Sequence, residues 1–313
     1  MTTSRFTSIT VKPAGGLCNR FRAIDSAIAF AEHHNIPVAI AWESLPELNC
    51  PIDQLLALPT HFVVHSSTQE AVPSFTRRQF PRSTYEGNRI TRAFQRYFLA
   101  SQKNSHVFLD EFAEQSSRIR SPLSASEMSS FDRSMEEWFA TRIQRCSGDL
   151  FVSSCYRFFP NPQAFAWLTP SQHIQQRLAI IAATTDASRE TIGIHIRRTD
   201  QLESIAQSPL QLFERAILKE LKLNSRCRFF IATDDAETKT RLKALFGEET
   251  ILTVDSELSR DRPNGVVDAM IELMLLASTK RIYGSFWSTF SQTASIIGNT
   301  ELIVLCKDNG VDV

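Results

Sequence analysis

The sequence predicts an α/β protein of two Rossmann-like domains facing each other across a central cleft, and three observations carry that prediction. Residues 191–305 alternate five short apolar runs with helical segments. Thr7–Trp42 repeats the strand–helix–strand order near the start of the chain. Pro160, Pro162 and Pro170 cluster between the two regions, which divides the chain into residues 1–165, the expected acceptor side, and residues 166–313.

Each element follows from its own pattern. Thr7–Lys12 alternates and is β-branched, and Gly15-Gly16 ends it. Asn19–His34 places Phe21, Ile24, Ile28 and Phe30 at roughly helical spacing, and Pro37–Trp42 follows as a short apolar run. The middle is less regular: helices are expected over Tyr85–Ala100 and Ala125–Cys146, the second opened by Ser124 or Ser126. Gln172–Ala182 reads as the helix that leads into the second domain. Beyond it, strands are expected over Thr191–Arg197, Cys227–Ala232, Thr250–Val254, Arg281–Gly284 and Glu301–Leu305. Helices alternate with them over Leu210–Leu221, Glu237–Phe246, Gly265–Ser278 and Thr289–Ile297. Ligands of such sheets sit beyond the carboxyl ends of the strands, so chemistry is sought after Lys12, Arg197, Ala232, Val254 and Gly284.

Composition narrows the function. The chain has 313 residues, 42% hydrophobic and 22% charged, with a formal net charge of zero. No overall charge draws it to nucleic acid or to an anionic membrane. Apolar runs such as Ile192–Ile196 and Ile271–Ala277 fall far short of the ~20 residues a membrane span needs, and Met1–Thr10 lacks an apolar signal core. These features point to the cytoplasm, or to a chain trimmed of its anchor. The six cysteines form no C-x-x-C pair and no zinc spacing, so buried free thiols are expected. There is no G-x-S-x-G, no H-E-x-x-H, no P-loop and no dinucleotide fingerprint.

Five stretches and one lone acid carry possible chemistry. Ile194–Asp200 begins in an apolar strand and runs into a polar loop. His195 and Arg197 share one face there, and a guanidinium at a strand's carboxyl end suits a phosphate. An Arg–Asp surface pair is the plain alternative. Gly15–Arg20 could bring backbone N–H groups to an anion at a helix start, or be a simple tight turn. Phe230–Asp235 ends a strand with two acids: a magnesium site is one reading, and Asp235 as a helix cap the other. Tyr283–Ser291 offers hydroxyls before a helix, either as an anion cradle or as an N-cap. Asp268, an acid on a mostly apolar helix, is a paired structural acid or an acceptor for guanine N1 and N2. Arg77, Arg78, Arg82, Arg89, Arg92 and Arg96 form a basic stretch, either a solvated face or a contact to an acidic acceptor.

Their order along the chain resembles the fucosyltransferase superfamily of α-1,6-fucosyltransferases, the rhizobial nodulation fucosyltransferase and protein O-fucosyltransferases. Gly15–Arg22 is similar to its Gly-x-x-Asn-Arg/Gln loop, and Gly193–Asp200 to its His-x-Arg-Arg-x-Asp motif. Phe230–Asp235, Asp268 and Gly284–Ala294 resemble its later motifs. The resemblance implies a GT-B-like fold and a metal-independent, inverting transfer from GDP-fucose to a glycan or other hydroxyl acceptor, with no cofactor. It places the donor in the second domain. Arg197 would bind the β-phosphate, with His195, Asp234, Ser288 and Thr289 around it, and Asp268 would read guanine. Gly16, Asn19 and Arg20 would reach across from the first domain. Glu203 would take the acceptor's proton, with Glu43 and Asp25 in reserve. A transferase for another GDP-hexose and a non-catalytic nucleotide-sugar-binding protein stay open.

Overall fold

Parallel strands organise both halves of the structure, a computed structural model that describes residues 4–67, 70, 105–108, 125–185, 190–199 and 201–307. The Arg77–Arg96 basic stretch, the helix expected over Tyr85–Ala100, Ser124 and Asp200 lie outside these residues. Two compact units emerge. One draws on Met1–Asp53, Leu58–Ser121 and Ser129–Thr169, the other on Gln54–Ala57, Pro122–Met128 and Pro170–Val313.

In the first unit β1 (Phe6–Pro13) leads through α1 (Leu17–His34) to β2 (Val38–Ala41). Ile9 and Val11 of β1 are fully buried, as are Phe21, Ile24 and Ala27 of α1. The helix stops at Asn35, whose left-handed φ of 51° lets its N–H turn back to Ala31 and Glu32. A short helix α2 (Ile52–Leu55), β3 (Val63–His65), β4 (Ser105–Phe108), α3 (Ala125–Ile143) and β5 (Gly148–Ser154) follow. The five strands run in the order β3-β2-β1-β5-β4, with every pair parallel. The sequence pattern had indicated only β1 and β2. β5 escapes it because both of its faces are covered: Leu150–Ser154 are all buried, including Ser153 and Ser154, so no alternation marks it.

The second unit follows the predicted alternation closely. α4 (Gln172–Thr185) precedes β6 (Ile192–Ile196), α5 (Leu202–Gln207), α6 (Leu210–Leu223), β7 (Phe229–Thr233), α7 (Ala236–Phe246) and β8 (Ile251–Leu252). α8 (Pro263–Ala277), β9 (Arg281–Ser285), α9 (Thr289–Gly298) and β10 (Glu301–Leu305) complete it. The sheet order is β10-β9-β6-β7-β8. The chain steps outward from β6 through β7 to β8, then returns to the other side of β6 with β9. That reversal is the switch point of a doubly wound sheet, and it opens a crevice at the carboxyl ends of β6 and β9. The core packs Ile192, Ile194 and Ile196 with Phe213, Ala216, Ile217, Phe229 and Ile231. None of the six cysteines is in a disulfide; four are buried and Cys146 and Cys227 half-buried, where burial of all six was expected. Among the described residues no helix is long and apolar enough to cross a membrane.

Candidate functional site

Of the predicted residues, the crevice beside β6 gathers His195, Arg197, Asp234, Ser288 and Thr289. Ile194 and Ile196 point into the core, so His195 takes the other face and is 4% exposed. Its Nδ1 lies 3.2 Å from Ser288 Oγ, and its ring stacks on Phe290 with centroids 4.8 Å apart. Burial pushes the imidazole down to about 3, helped by the positive charges of Arg197 and Arg260 and opposed by Asp234, so His195 is neutral near pH 7.

Arg197 follows directly. Its backbone N–H donates to Ser285 Oγ at 2.9 Å, and its Nε lies 3.3 Å from Asp234 Oδ2. Asp234, at the end of β7, gathers the whole turn. Its Oδ1 accepts from the Arg198 N–H and its Oδ2 from the Thr199 hydroxyl, each at 2.7 Å. A second guanidinium, Arg260 Nη2, stands 3.9 Å from the same Oδ2. Asp235 instead caps α7, accepting from Thr238 N at 3.0 Å. The two acids are thus spent on different tasks, an arginine turn and a helix cap, rather than forming a shared ligand pair. Among the described residues no group of three or more His, Cys, Asp or Glu side chains is arranged to hold a metal.

Hydroxyls line the β9 side. Ser285 Oγ donates to the His195 carbonyl at 3.3 Å while accepting from Arg197. Ser288 stands at the N-cap of α9 without capping it, because its hydroxyl is turned to His195. Thr289, the first helical residue, is half-buried beside it. Between Ser285 and Ser288, Trp287 holds a φ of 52°, a left-handed backbone that a bulky side chain rarely adopts. Buried Ser208 ties the turn down, accepting from Phe286 N at 2.8 Å and donating to the Leu305 carbonyl. Glu203 sits on α5, half-buried, with no hydrogen-bond or ion-pair partner among the described residues.

Asp268 lies deeper, on α8. Its Oδ2 accepts from the Glu257 N–H at 2.8 Å and its Oδ1 pairs with Arg177 Nη2 at 2.7 Å. One turn on, buried Glu272 receives Lys239 Nζ at 2.7 Å and the Ser256 hydroxyl at 2.8 Å. Burial raises the Glu272 carboxyl and Lys239 pulls it back. Lys239 also donates to the Val254 carbonyl and Ser256 Oγ. These two acids therefore hold the segment after β8 that carries Arg260. Sequence reasoning missed Glu272, Lys239 and Arg260, and included Ser285 only as one hydroxyl of the Tyr283–Ser291 stretch. A Glu one turn after Asp268 on an apolar helix was the available signal.

In the first unit, Gly15 adopts φ 77°, which frees the turn into α1, and Gly16 is the helix N-cap. Asn19 Oδ1 accepts from Arg22 at 3.1 Å. Arg20 does not project from this loop. It is 0% exposed, donating to the Gly15 carbonyl at 3.0 Å and the Glu43 carbonyl at 2.6 Å, with its guanidinium 4.8 Å from the Trp42 ring centre. Burial lowers it to about 10, against the pull of Glu47 and Glu43. Glu43 pairs with Lys12 at 3.1 Å. Asp25 is 0% exposed, and its Oδ1 accepts from Asn161, the Phe165 N–H and the Trp167 indole.

No protein-family model matches the sequence, and no curated protein matches it. Solved structures share its architecture. NodZ α-1,6-fucosyltransferase co-crystallised with GDP aligns with a TM-score of 0.56 and 16% identity, over 94% of this chain and 92% of its own. The same enzyme, known from Bradyrhizobium, has also been soaked with GDP-fucose. A mutant of Arabidopsis thaliana FUT1 in complex with GDP gives 0.58 and 13% identity, over 97% of this chain and 71% of its own. POFUT1 in complex with GDP gives 0.52 and 12%, over 97% and 99%. At these identities the likeness is one of fold. Two α/β units, each on a parallel sheet, give the chain the GT-B fold of these fucosyltransferases.

Proposed function

We propose that the chain is a glycosyltransferase that moves fucose from GDP-fucose to a hydroxyl acceptor, with inversion and without a metal ion. The observation that carries this is the placement of Arg197. It sits at the switch point of the second unit's doubly wound sheet, oriented by Asp234 and anchored through its N–H to Ser285. The structural neighbours named above hold GDP on the same fold.

The chemistry follows from that placement. The acceptor oxygen attacks the anomeric carbon as the bond to the β-phosphate oxygen breaks, GDP departs, and the acceptor proton passes to a carboxylate. Negative charge grows on the β-phosphate, where the planar Arg197 guanidinium gains interaction as the bond lengthens. Neutral His195 turns Ser288 inward, and Thr289 adds a second hydroxyl at the start of α9. Asp268 already serves Arg177 and Glu257 and would read guanine with its remaining lone pairs. Glu203, unpaired among the described residues on the helix after the arginine turn, would be the base.

The test is release of GDP from a panel of GDP- and UDP-sugars in the presence of EDTA. Slow hydrolysis of GDP-fucose is expected, and Arg197→Lys, which keeps the charge but loses the fork, should lower turnover on the order of 10²–10³-fold. Stabilisation by GDP-sugars without any release of GDP would make the chain a binding protein. Preference for a UDP-sugar, or dependence on a divalent ion, would overturn the proposal.

A further inference from the structure

Arg260 lies on the connection between β8 and α8, and it comes to the same carboxylate oxygen as Arg197: 3.9 Å from Asp234 Oδ2, against 3.3 Å for Arg197. It does not arrive there on a loose loop. Lys239 holds the Val254 carbonyl and Ser256, and Glu272 holds Ser256 from the other side. Asp268 takes the Glu257 N–H, and Arg262 pairs with Glu257 at 3.2 Å. Ser259 then passes so close over the first turn of α8 that a Cβ on Gly265 would stand 1.7 Å from the Ser259 carbonyl oxygen. Each of these contacts is made by a residue within two positions of Arg260 or by the segment leading to it.

We propose that Arg260 is a second diphosphate-binding guanidinium, presented by a loop that Lys239, Asp268, Glu272 and Gly265 fix in place. The inference rests on the nucleotide-diphosphate-sugar reading above. A diphosphate offers oxygens on two neighbouring phosphorus atoms, and two planar forks flanking one carboxylate suit a ligand of that width better than one fork does. Both heads reach solvent, Arg197 with 22% and Arg260 with 36% of its side chain exposed, so both can meet an incoming anion. At 3.9 Å the Asp234 contact is too long to be a hydrogen bond, so it guides Arg260 more than it holds it. The field of Arg260 also reaches His195, whose proton it helps to expel alongside Arg197. A cation on a fixed loop binds with little ordering cost, which is what the clamp on this segment provides.

The experiment compares GDP with GMP on the purified full chain by calorimetric titration, for wild type, Arg260→Ala and Arg260→Gln. Loss of one charge-assisted contact to the terminal phosphate should weaken GDP binding by about tenfold or more while GMP binding stays within about twofold. The Gln variant keeps the side chain's length and should match Ala if charge is what matters. GDP binding unchanged in both variants would overturn the inference, as would equal losses for GDP and GMP, which would make Arg260 a support of the nucleoside end or of the fold. A wild-type chain that binds neither nucleotide would overturn the functional reading itself, an outcome distinct from either of these.

Discussion

His195 titrates far from the range of a free imidazole, and its environment says why: it is buried on β6 with its ring stacked on Phe290, and two guanidinium groups act on it. The consequence for stability has a definite sign. An unfolded chain takes up this proton near pH 6.5, whereas the folded chain refuses it down to about 3. Stability from neutral His195 is therefore complete above about pH 6.5 and is lost as pH falls toward 3, by up to about 1.4 kcal/mol per pH unit. Between pH 7 and pH 5, replacing His195 with Phe should reduce the acid-induced loss of stability by about 2 kcal/mol, read from denaturant melts. Equal slopes in the two proteins would mean that the folded chain takes up this proton as readily as the unfolded one. The same residue shows what a sequence can carry. Alternation in Ile192–Ile196 assigns His195 to the face opposite the core, but not Ser288, which arrives from 93 residues away. Arg20 shows the opposite case. An arginine after a glycine turn suggests an outward, anion-seeking group, and only the positions of Gly15, Trp42 and Glu43 reveal that it braces its own loop.

Among the elements, β6, β7, β9 and β10 were legible because each is a short apolar run between helices with clear punctuation. β8 shrinks to two residues, Ile251–Leu252, since the chain leaves the sheet there to begin the clamped loop. α5 was not anticipated, being only six residues of mixed polarity that depend on Ser208 for their exit. β3 is three residues long with Val63 half-exposed, too little for any periodicity to register. The loop between β8 and α8 owes its path to the missing side chain at Gly265, and that can be tested without touching a charged group. Gly265→Ala must displace the Ser259 backbone, at a cost of about 1–3 kcal/mol by the usual penalty for overpacking. Because Arg260 is the next residue, GDP affinity should fall as well. Paired denaturation and GDP titration on this variant would show both effects, and a folded Gly265→Ala protein with wild-type GDP affinity would detach the loop's path from nucleotide binding.

For the molecule as a whole, both units build outward from a central first strand, β1 in one and β6 in the other, but their chain paths differ. The second sheet takes all of its strands from Ile192–Leu305. The first sheet sets β1 beside β5, so that Thr7 and Ser8 share Asp149, 142 residues from Thr7. Among the described residues β4 also pairs only with β5. This pairing puts a clock on synthesis. At about 5–20 residues per second, β1 waits on the order of ten seconds after leaving the ribosome before its second neighbour exists. Through that interval one edge of the strand is an open template for any other nascent chain. Protease digestion of stalled nascent chains should cut near β1 in every length that withholds Gly148–Ser154 and stop once Ser154 has emerged. Protection appearing earlier would mean that β1 and α1 settle without β5. The chain's opening eight-residue strand is thus made early and sealed late, and its exposure to chaperones and to its own copies is governed by translation speed.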